Sequence, residues 1–148
     1  MSDPSASLVD MGLYLKQLVE DNKDSLGVID VYYGDQNNIP RTPTVCMDPG
    51  EKQREFNGAP RRTLVTLTNY LIVYHSEVTS MQDVRQSDDE LAENLEALIH
   101  QDGQMGGLVI SSLVSSIESG YLMRNKAMFR ASRLTVDATQ QEQLPSNF

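Results

Sequence analysis

The residues of this chain that could do chemistry are few and scattered. Two histidines, His75 and His100, could shuttle protons or bind a metal. Three aspartates, Asp83, Asp88 and Asp89, could hold a divalent cation, but their spacing matches no cation-binding loop. Because helix capping already accounts for Asp88 and Asp89, we expect structural roles for them. We also expect His75 to end a strand and His100 to stabilise a helix C-terminus.

The sequence gives equally little indication of a catalytic nucleophile. Four clustered serines have no base beside them in the sequence and are typical of hydroxyls on a pleated surface: Ser111, Ser112, Ser115 and Ser116. The single cysteine, Cys46, excludes an internal disulfide and a cysteine cluster for zinc, so it is predicted to be a small buried residue. The sequence contains no phosphate-binding glycine loop, nucleophile elbow or metalloprotease motif. We therefore predict neither an enzyme nor a cofactor.

The amino-acid composition and net charge argue against some classes of binding partner. The 148 residues are 39% hydrophobic and 22% charged, which is typical of one globular domain. Twenty-one acidic residues against 12 basic ones give a net charge of -9, which argues against tight nucleic-acid binding. No apolar run approaches the roughly 20 residues needed to span a bilayer, so no membrane partner is expected. The acidic N-terminus is unlike a signal peptide, and we expect synthesis in the cytoplasm.

Two segments have helical periodicity. The first extends from Leu8 to Val19, with a predicted cap at Asp3-Pro4 and a stop at Gly27. The second is "SDDELAENLEALIHQDG", in which Ser87 and the glutamate three residues later form a capping-box pattern. Both helices are amphipathic, and each needs a sheet or another helix to cover its apolar stripe.

The remaining segments predict strands. A short strand begins at Val28, prolines limit "TPTVCMD" to an edge strand or an extended connection, and residues 48–58 form a polar loop. Gly106-Gly107 then opens "LVISSLVSSIESGYL", with Leu113 and Ile117 on one side. The turn "MRNK" joins this strand to "AMFRASRLTVDAT" in a long antiparallel hairpin. Residues 141–148 are predicted to be a polar tail.

One long strand lies in "EFNGAPRRTLVTLTNYLIVYHSEV". Leu67 and Leu71 stand on its apolar side, Tyr70 and Ile72 stand on the other, and neither side is charged between residues 63 and 74. The element order predicts an α+β, mostly antiparallel sheet with two helices packed on one face, in a single two-layer domain of residues 1–140. Since helices cover one face, the second face predicts contact with another copy of the chain.

Several strings together resemble the tail terminator (tail completion) proteins of long-tailed bacteriophages: "NGAPRRTLVTLTNYLIVYH", "SDDELAENLEALIH", "MGGLVISSLV" and "FRASRLTVDA". This resemblance implies a structural virion protein whose hexameric ring caps the tail tube, stops its polymerisation and joins it to the head-side connector. Partners would be the chain itself, the tail tube protein, the connector or head-closure protein, and genomic DNA that passes without specific binding. Six copies would carry a charge of -54, which suits a conduit for DNA.

Exposure and charge predict the contact residues. A polar loop would meet neighbouring subunits or rings, through Lys52, Arg54, Glu55, Arg61 and Arg62. Tyr70 and Ile72 would meet a neighbour from the second face of the long strand. The hairpin turn and the tail after Thr139 would meet the tube or connector, through Arg124, Asn125 and Lys126. Alternatives are another neck ring such as a head-closure protein, a small α+β enzyme or binding domain, and, for the paired arginines, exposed charges beside a turn.

Overall fold

A computed structural model describes residues 7–56, 62–78 and 85–143 of the chain. The elements, in chain order, are α1 (Leu8–Asp21), α2 (Lys23–Leu26), β1 (Asp30–Tyr33), β2 (Thr44–Phe56), β3 (Arg62–Glu77), α3 (Arg85–His100), β4 (Ser111–Arg124) and β5 (Ala127–Gln143), with a 3-10 turn at Met105–Gly107 before β4.

The five strands form one sheet in the order β1-β2-β3-β5-β4. β1 pairs with β2 in parallel, and every other pair is antiparallel. The two main helices, α1 and α3, pack against the sheet and share one apolar core with its strands. The predicted α+β architecture is therefore confirmed.

The helix boundaries differ from those predicted. α1 begins after Ser7, whose hydroxyl accepts from the Asp10 amide at 3.0 Å while the Asp10 carboxylate accepts from the Ser7 amide at 3.3 Å. The cap predicted at Asp3-Pro4 is thus wrong, and those two residues lie outside the described part. α3 begins at Arg85, which places Ser87 in the first turn rather than at the cap. Gly27, at φ +77°, ends the short α2 instead of α1.

The helix face of the sheet is the side that α1 and α3 cover. On β3 its buried residues include Leu67 and Leu71, as the alternation predicted. α1 comes close to this face because Gly12 has no side chain. A Cβ atom there would lie 2.7 Å from the Tyr33 ring. The same side of β3 holds Asn69, whose buried amide nitrogen donates to the Leu8 carbonyl at 3.4 Å.

The polar loop predicted for residues 48–58 is wrong over residues 48–56, and residues 57 and 58 lie outside the described part of the chain. β2 continues through Phe56 and pairs with β3, with an irregularity between Pro49 and Lys52. The sixteen residues of β3 present backbone donors and acceptors that need partners, and this demand outweighs the low strand propensity of the sequence. Gly50 makes the irregularity possible, because a Cβ atom would lie 2.8 Å from the Thr68 carbonyl oxygen.

The long hairpin is confirmed with two changes. Its turn is made by Asn125 and Lys126 at φ 48° and 66°, the left-handed geometry that matches the twist of a two-residue hairpin. A register shift between Val114 and Ser116 puts Val114 and Ile117 on the helix face. Leu113 points to the opposite face, so its predicted grouping with Ile117 is wrong.

The ends of this hairpin also differ from the prediction. The Gly106-Gly107 segment is a 3-10 turn, and β4 starts only at Ser111. β5 extends through Gln143, so residues 141–143 of the predicted tail belong to the sheet. Residues 144–148 lie outside the described part of the chain.

Candidate assembly surface

The side of the sheet opposite the helices, termed here the open face, is divided into two halves. Near the β4–β5 turn, residues that follow β1 fold over the sheet and bury a second apolar cluster. The members of this loop-covered cluster are Ile39, Cys46, Ile72, Tyr74, Phe129 and Ala131. The chain thus supplies its own cover for half of the face that we expected to meet a neighbour.

A polar contact anchors the loop over this cluster. The Tyr74 hydroxyl donates to Asp35 at 2.5 Å, and the Arg124 guanidinium donates to the other oxygen of the same carboxylate at 2.6 Å. Burial, and secondarily the Asp35 charge, raises the pKa of Tyr74, so the phenol stays a donor at all ordinary pH values. The Phe129 ring meets Tyr74 edge-on with 5.6 Å between centroids.

Cys46 lies fully buried in the same cluster, as predicted. Burial raises the pKa of its thiol to about 12. Because the thiolate is the reactive form, this side chain acts as an apolar filler.

The other half of the open face is rich in hydroxyls. Its half-buried or exposed residues come from three strands: Thr66, Tyr70, Ser111, Leu113, Ser116, Thr135 and Thr139. Thr68 donates to Asp137 at 2.7 Å, and Ser111 and Thr139 share a hydrogen bond of 2.9 Å. Leu113 is 52% exposed within this polar surface. We call this region the hydroxyl-rich half.

The structure separates the two residues predicted to contact a neighbour from β3. Tyr70 is half-buried on the open face, with the Arg133 guanidinium 5.0 Å from its ring centre. Ile72 is only 7% exposed, because the loop-covered cluster surrounds it. Tyr70 therefore keeps accessible surface on the open face, whereas Ile72 has almost none, so the contact predicted for Ile72 is contradicted.

A groove of about 440 Å³ crosses the open face between these halves. Small or apolar residues form its floor, among them Ile72, Gly120 and Ala131. Five charged residues surround it: Asp35, Asp48, Glu118, Arg124 and Arg133. The Asp35–Arg124 pair is 2.6 Å long and the Glu118–Arg133 pair 3.2 Å long. Among the described residues, Asp48 has neither an ion pair nor a side-chain hydrogen bond, so the groove carries one negative charge that the chain does not neutralise.

The far ends of β2 and β3, residues 52–56 and 62–66, are termed here the arm, and β5 pairs with its β3 strand as far as Gln143. It contains most of the predicted polar contact loop, now as paired strands. Lys52 is half-buried, while Arg54, Glu55 and Arg62 are exposed. Arg54 pairs with Glu142 of β5 at 3.4 Å. Arg61 lies outside the described residues.

The arm also exposes an aromatic side chain. Phe56, the last residue of β2, has 80% of its surface accessible. In the β2–β3 register Phe56 lies opposite Thr63, so its ring is on the helix face, beyond the part of that face that the helices cover.

The predicted contact residues of the β4–β5 turn differ in availability. Arg124 is held against Asp35 and is half-buried, so its guanidinium supports the fold. Asn125 and Lys126 are exposed at the tip. These two remain available to a partner.

A buried polar network on the helix face was missed by the sequence reasoning. His75 Nε2 lies 2.7 Å from Ser132 Oγ, and His75 Nδ1 lies 3.7 Å from Asp88 Oδ1. Arg130 donates to the other Asp88 oxygen at 2.8 Å. A cavity of about 170 Å³ borders these residues. Their separation in sequence hid the arrangement, since β3, α3 and β5 bring them together.

The order Asp88, His75, Ser132 is that of a hydrolytic triad, but the geometry favours a structural link. A separation of 3.7 Å is too long for the hydrogen bond that would orient the imidazole. Ser132 is 2% exposed, and Asp88 is committed to Arg130. Burial lowers the pKa of His75, and Arg130 adds to this effect, while Asp88 opposes it. The network joins the first turns of α3 to β3 and β5.

The other chemically suggestive residues have local partners. His100, at the end of α3, accepts a hydrogen bond from the Val114 amide at 2.9 Å and so ties the helix end to β4. The hydroxyl of Ser112 donates to the Gly103 carbonyl at 2.9 Å. The described residues hold no cluster of three or more potential metal ligands, and Asp83 lies outside them. Within the described part, no helix is long and apolar enough to cross a bilayer.

Comparisons with known proteins add little. No protein-family model and no curated protein sequence matches this chain. One solved structure, of a protein whose name describes no activity, aligns over 94% of this chain and 96% of its own, at 13% identity and a TM-score of 0.40. Similarity at that level supports no statement about family or function.

Proposed function

We propose that this chain is a structural protein of a long-tailed bacteriophage, which forms a ring, of six copies by the resemblance, that caps the tail tube, stops its growth and joins it to the head-side connector. The observation that carries the proposal is the hydroxyl-rich half of the open face. It is rich in hydroxyls and lies outside the cover that the chain lays over the rest of that face, and its charged residues Asp137 and Arg133 contact Thr68 and Tyr70 within the same surface. A surface of this kind suits contact with identical neighbours or the wall of a channel.

The mechanism is steric. Each ring of a tail tube exposes a surface that accepts the next ring, and a terminator binds that surface while presenting a different one. The elements at opposite ends of the sheet, the arm and the β4–β5 turn, suit this role because they can face different partners. The strongly acidic chain suits a channel through which DNA passes without sticking, because like charges repel.

Cryo-electron microscopy of virions of the phage that encodes the chain tests the proposal. We expect a ring of this chain between the last tube ring and the connector, and tails of uncontrolled length when the gene is deleted. A ring on the head side of the connector would instead identify a head-closure protein. A single copy in the virion, or none, would contradict the proposal.

A further inference from the structure

We infer that two copies of the free chain pair through the outer edge of β4, antiparallel and about a two-fold axis at Tyr121. This inference goes beyond the proposed ring, because a two-fold contact uses the same surface in both copies and closes at two. It describes the chain before it enters a ring. It follows from the free edge of β4, from the apolar side chains beside that edge and from the charges that the pairing would bring together.

The outer edge of β4 is a long strand edge without a partner. β4 is the last strand of the sheet, and no described strand pairs with it on the side away from β5. Such an edge presents unpaired N–H and C=O groups that can accept a strand from another chain. The opposite edge strand, β1, has only 4 residues, against 14 in β4. A second copy of β4 is therefore the only described edge of matching length.

The features that normally protect a strand edge are sparse in β4. The strand contains neither proline nor lysine, and Glu118 is its only charged residue before Arg124. One irregularity lies between Val114 and Ser116, and from Ser116 to Arg124 the pairing with β5 is regular. This regular stretch can therefore pair with another strand along its length.

An apolar patch lies beside the regular stretch, on the helix face. Tyr121 is 62% exposed and Met123 is 58% exposed, while Met128, opposite Met123 on β5, is exposed as well. Val78 extends the patch at the end of β3, because its amide donates to the Met128 carbonyl at 2.7 Å. Neighbouring exposed apolar side chains mark interaction sites, and tyrosine and methionine are enriched there. Because the patch borders the edge of β4, one partner can cover both.

A two-fold axis at Tyr121 brings the two apolar patches together. In an antiparallel pair, directly opposite side chains lie on the same face, with Cβ atoms about 4.5–5.5 Å apart. The axis places Tyr121 opposite the Tyr121 of the second copy, and Met123 opposite its Ser119. The exposed tyrosine and methionine of each strand are thereby covered by those of the other.

The same axis pairs opposite charges on the open face. Glu118 lies opposite the Arg124 of the second copy, and the symmetry repeats this contact. The Glu118 carboxylate is bound to Arg133 at 3.2 Å but keeps 64% of its side chain exposed, so it can accept a second cation. The Arg124 side chain, bound to Asp35, keeps 24% exposed. An axis at Glu118 would instead bring two like charges together, which disfavours that register.

Light scattering of the dilute full chain tests the inference. We expect about 33 kDa for wild type, twice the chain mass of 16.5 kDa. Tyr121→Lys and Tyr121→Glu should each be monomers of about 16.5 kDa, because like charges then face each other at the axis. Both change an exposed side chain, and circular dichroism confirms that each variant is folded. The matched control, Leu13→Lys, changes an exposed apolar residue of α1 and should keep the wild-type mass.

Mixing the two Tyr121 variants tests the position of the axis. An equimolar mixture should recover about 33 kDa, because lysine then faces glutamate. A mixture of Met123→Lys and Met123→Glu should gain no mass over the separate variants. The two Met123 positions are offset by four residues, which is about 13 Å at 3.3 Å per residue.

Three outcomes would overturn the inference: a wild type that is monomeric at its highest soluble concentration, a Tyr121→Lys variant that keeps the wild-type mass, or a mixture of the Tyr121 variants that stays monomeric. None of them bears on the ring between tube and connector, which cryo-electron microscopy of virions decides. Conversely, β4-linked dimers of a chain that is absent from tails would refute the proposed function and leave this contact standing.

Discussion

Tyr70 and Tyr74 lie four residues apart on β3 and on the same face of the sheet, yet their environments differ. Tyr74 is fully buried in the loop-covered cluster and donates to Asp35. Tyr70 is half-buried in the hydroxyl-rich half, where the Arg133 guanidinium lies over its ring. The difference comes from the loop after β1, which crosses one half of the open face. Alternation along β3 determines that both tyrosines lie on the open face of the sheet. Whether each one belongs to the core or to the surface depends on whether the loop after β1 covers it.

Charged substitutions on β3 give the largest expected contrast. Leu71→Asp places a carboxylate in the core under the helices and should destabilise the chain by more than about 4 kcal/mol, enough to unfold it. Ile72→Asp should also destabilise the chain strongly, because the loop-covered cluster buries that side chain. Tyr70→Asp should cost about 1 kcal/mol and leave a folded chain that fails to assemble.

Urea denaturation measures the three free energies of unfolding, and light scattering measures assembly. Unfolding by Tyr70→Asp would show that the hydroxyl-rich half belongs to the internal core. The contrast drawn between the environments of Tyr70 and Tyr74 would then be wrong.

Removing single hydroxyls gives an intermediate effect. Tyr74→Phe deletes a buried hydrogen bond to the Asp35 carboxylate and should lower the free energy of unfolding by about 1.5–3 kcal/mol. Tyr70→Phe, the matched change outside the cluster, should alter it by less than about 0.5 kcal/mol. Equal losses at the two sites would contradict the role assigned to the loop. Urea denaturation again provides the measurement.

The smallest effect is a pH dependence of the His75 network. Because the folded pKa of His75 is lowered by burial, the unfolded chain takes up a proton first as pH falls. The stability contributed by neutral His75 is complete above its unfolded pKa of about 6.5 and is lost as pH falls through the lower folded value, by up to about 1.4 kcal/mol per pH unit.

Comparing thermal unfolding of wild type and His75→Gln between pH 7 and the acid range isolates this contribution. The variant should show a flatter dependence just below pH 6.5. Parallel curves for the two proteins would mean that His75 titrates equally in both states.

Much of the fold could be predicted from the sequence. The 3.6-residue period of α1 and α3 and the alternation of β3 are local patterns of apolar residues. With the order of the elements, they predicted two helices on one face of a mostly antiparallel sheet. The errors lie where local signals were overridden. Residues 48–56 have the composition of a loop, but they form a strand because they pair with the long strand β3. On β4, the register shift between Val114 and Ser116 places Leu113 on the side opposite to the predicted one.

The candidate surfaces could be predicted only in part. The polar residues from Lys52 to Arg62 were identified as a contact element, yet Phe56 was missed, because a single aromatic residue at a strand end has no distinctive sequence pattern. The groove has no sequence signal at all, since its floor and rim come from four strands and one loop. Arg124 was predicted to meet a partner because it is charged and near a turn, while the structure shows it paired with Asp35.

The sequence by itself determined the two sides of β3, the apolar stripes of the helices and the acidic balance of the chain, because each depends on residue type and short-range spacing. Only the tertiary structure decided which half of the second face is covered, which charges are neutralised within the chain and which remain for a partner. The reason is physical: burial and ion pairing depend on segments distant in sequence, such as Asp35 and Arg124, meeting across the sheet.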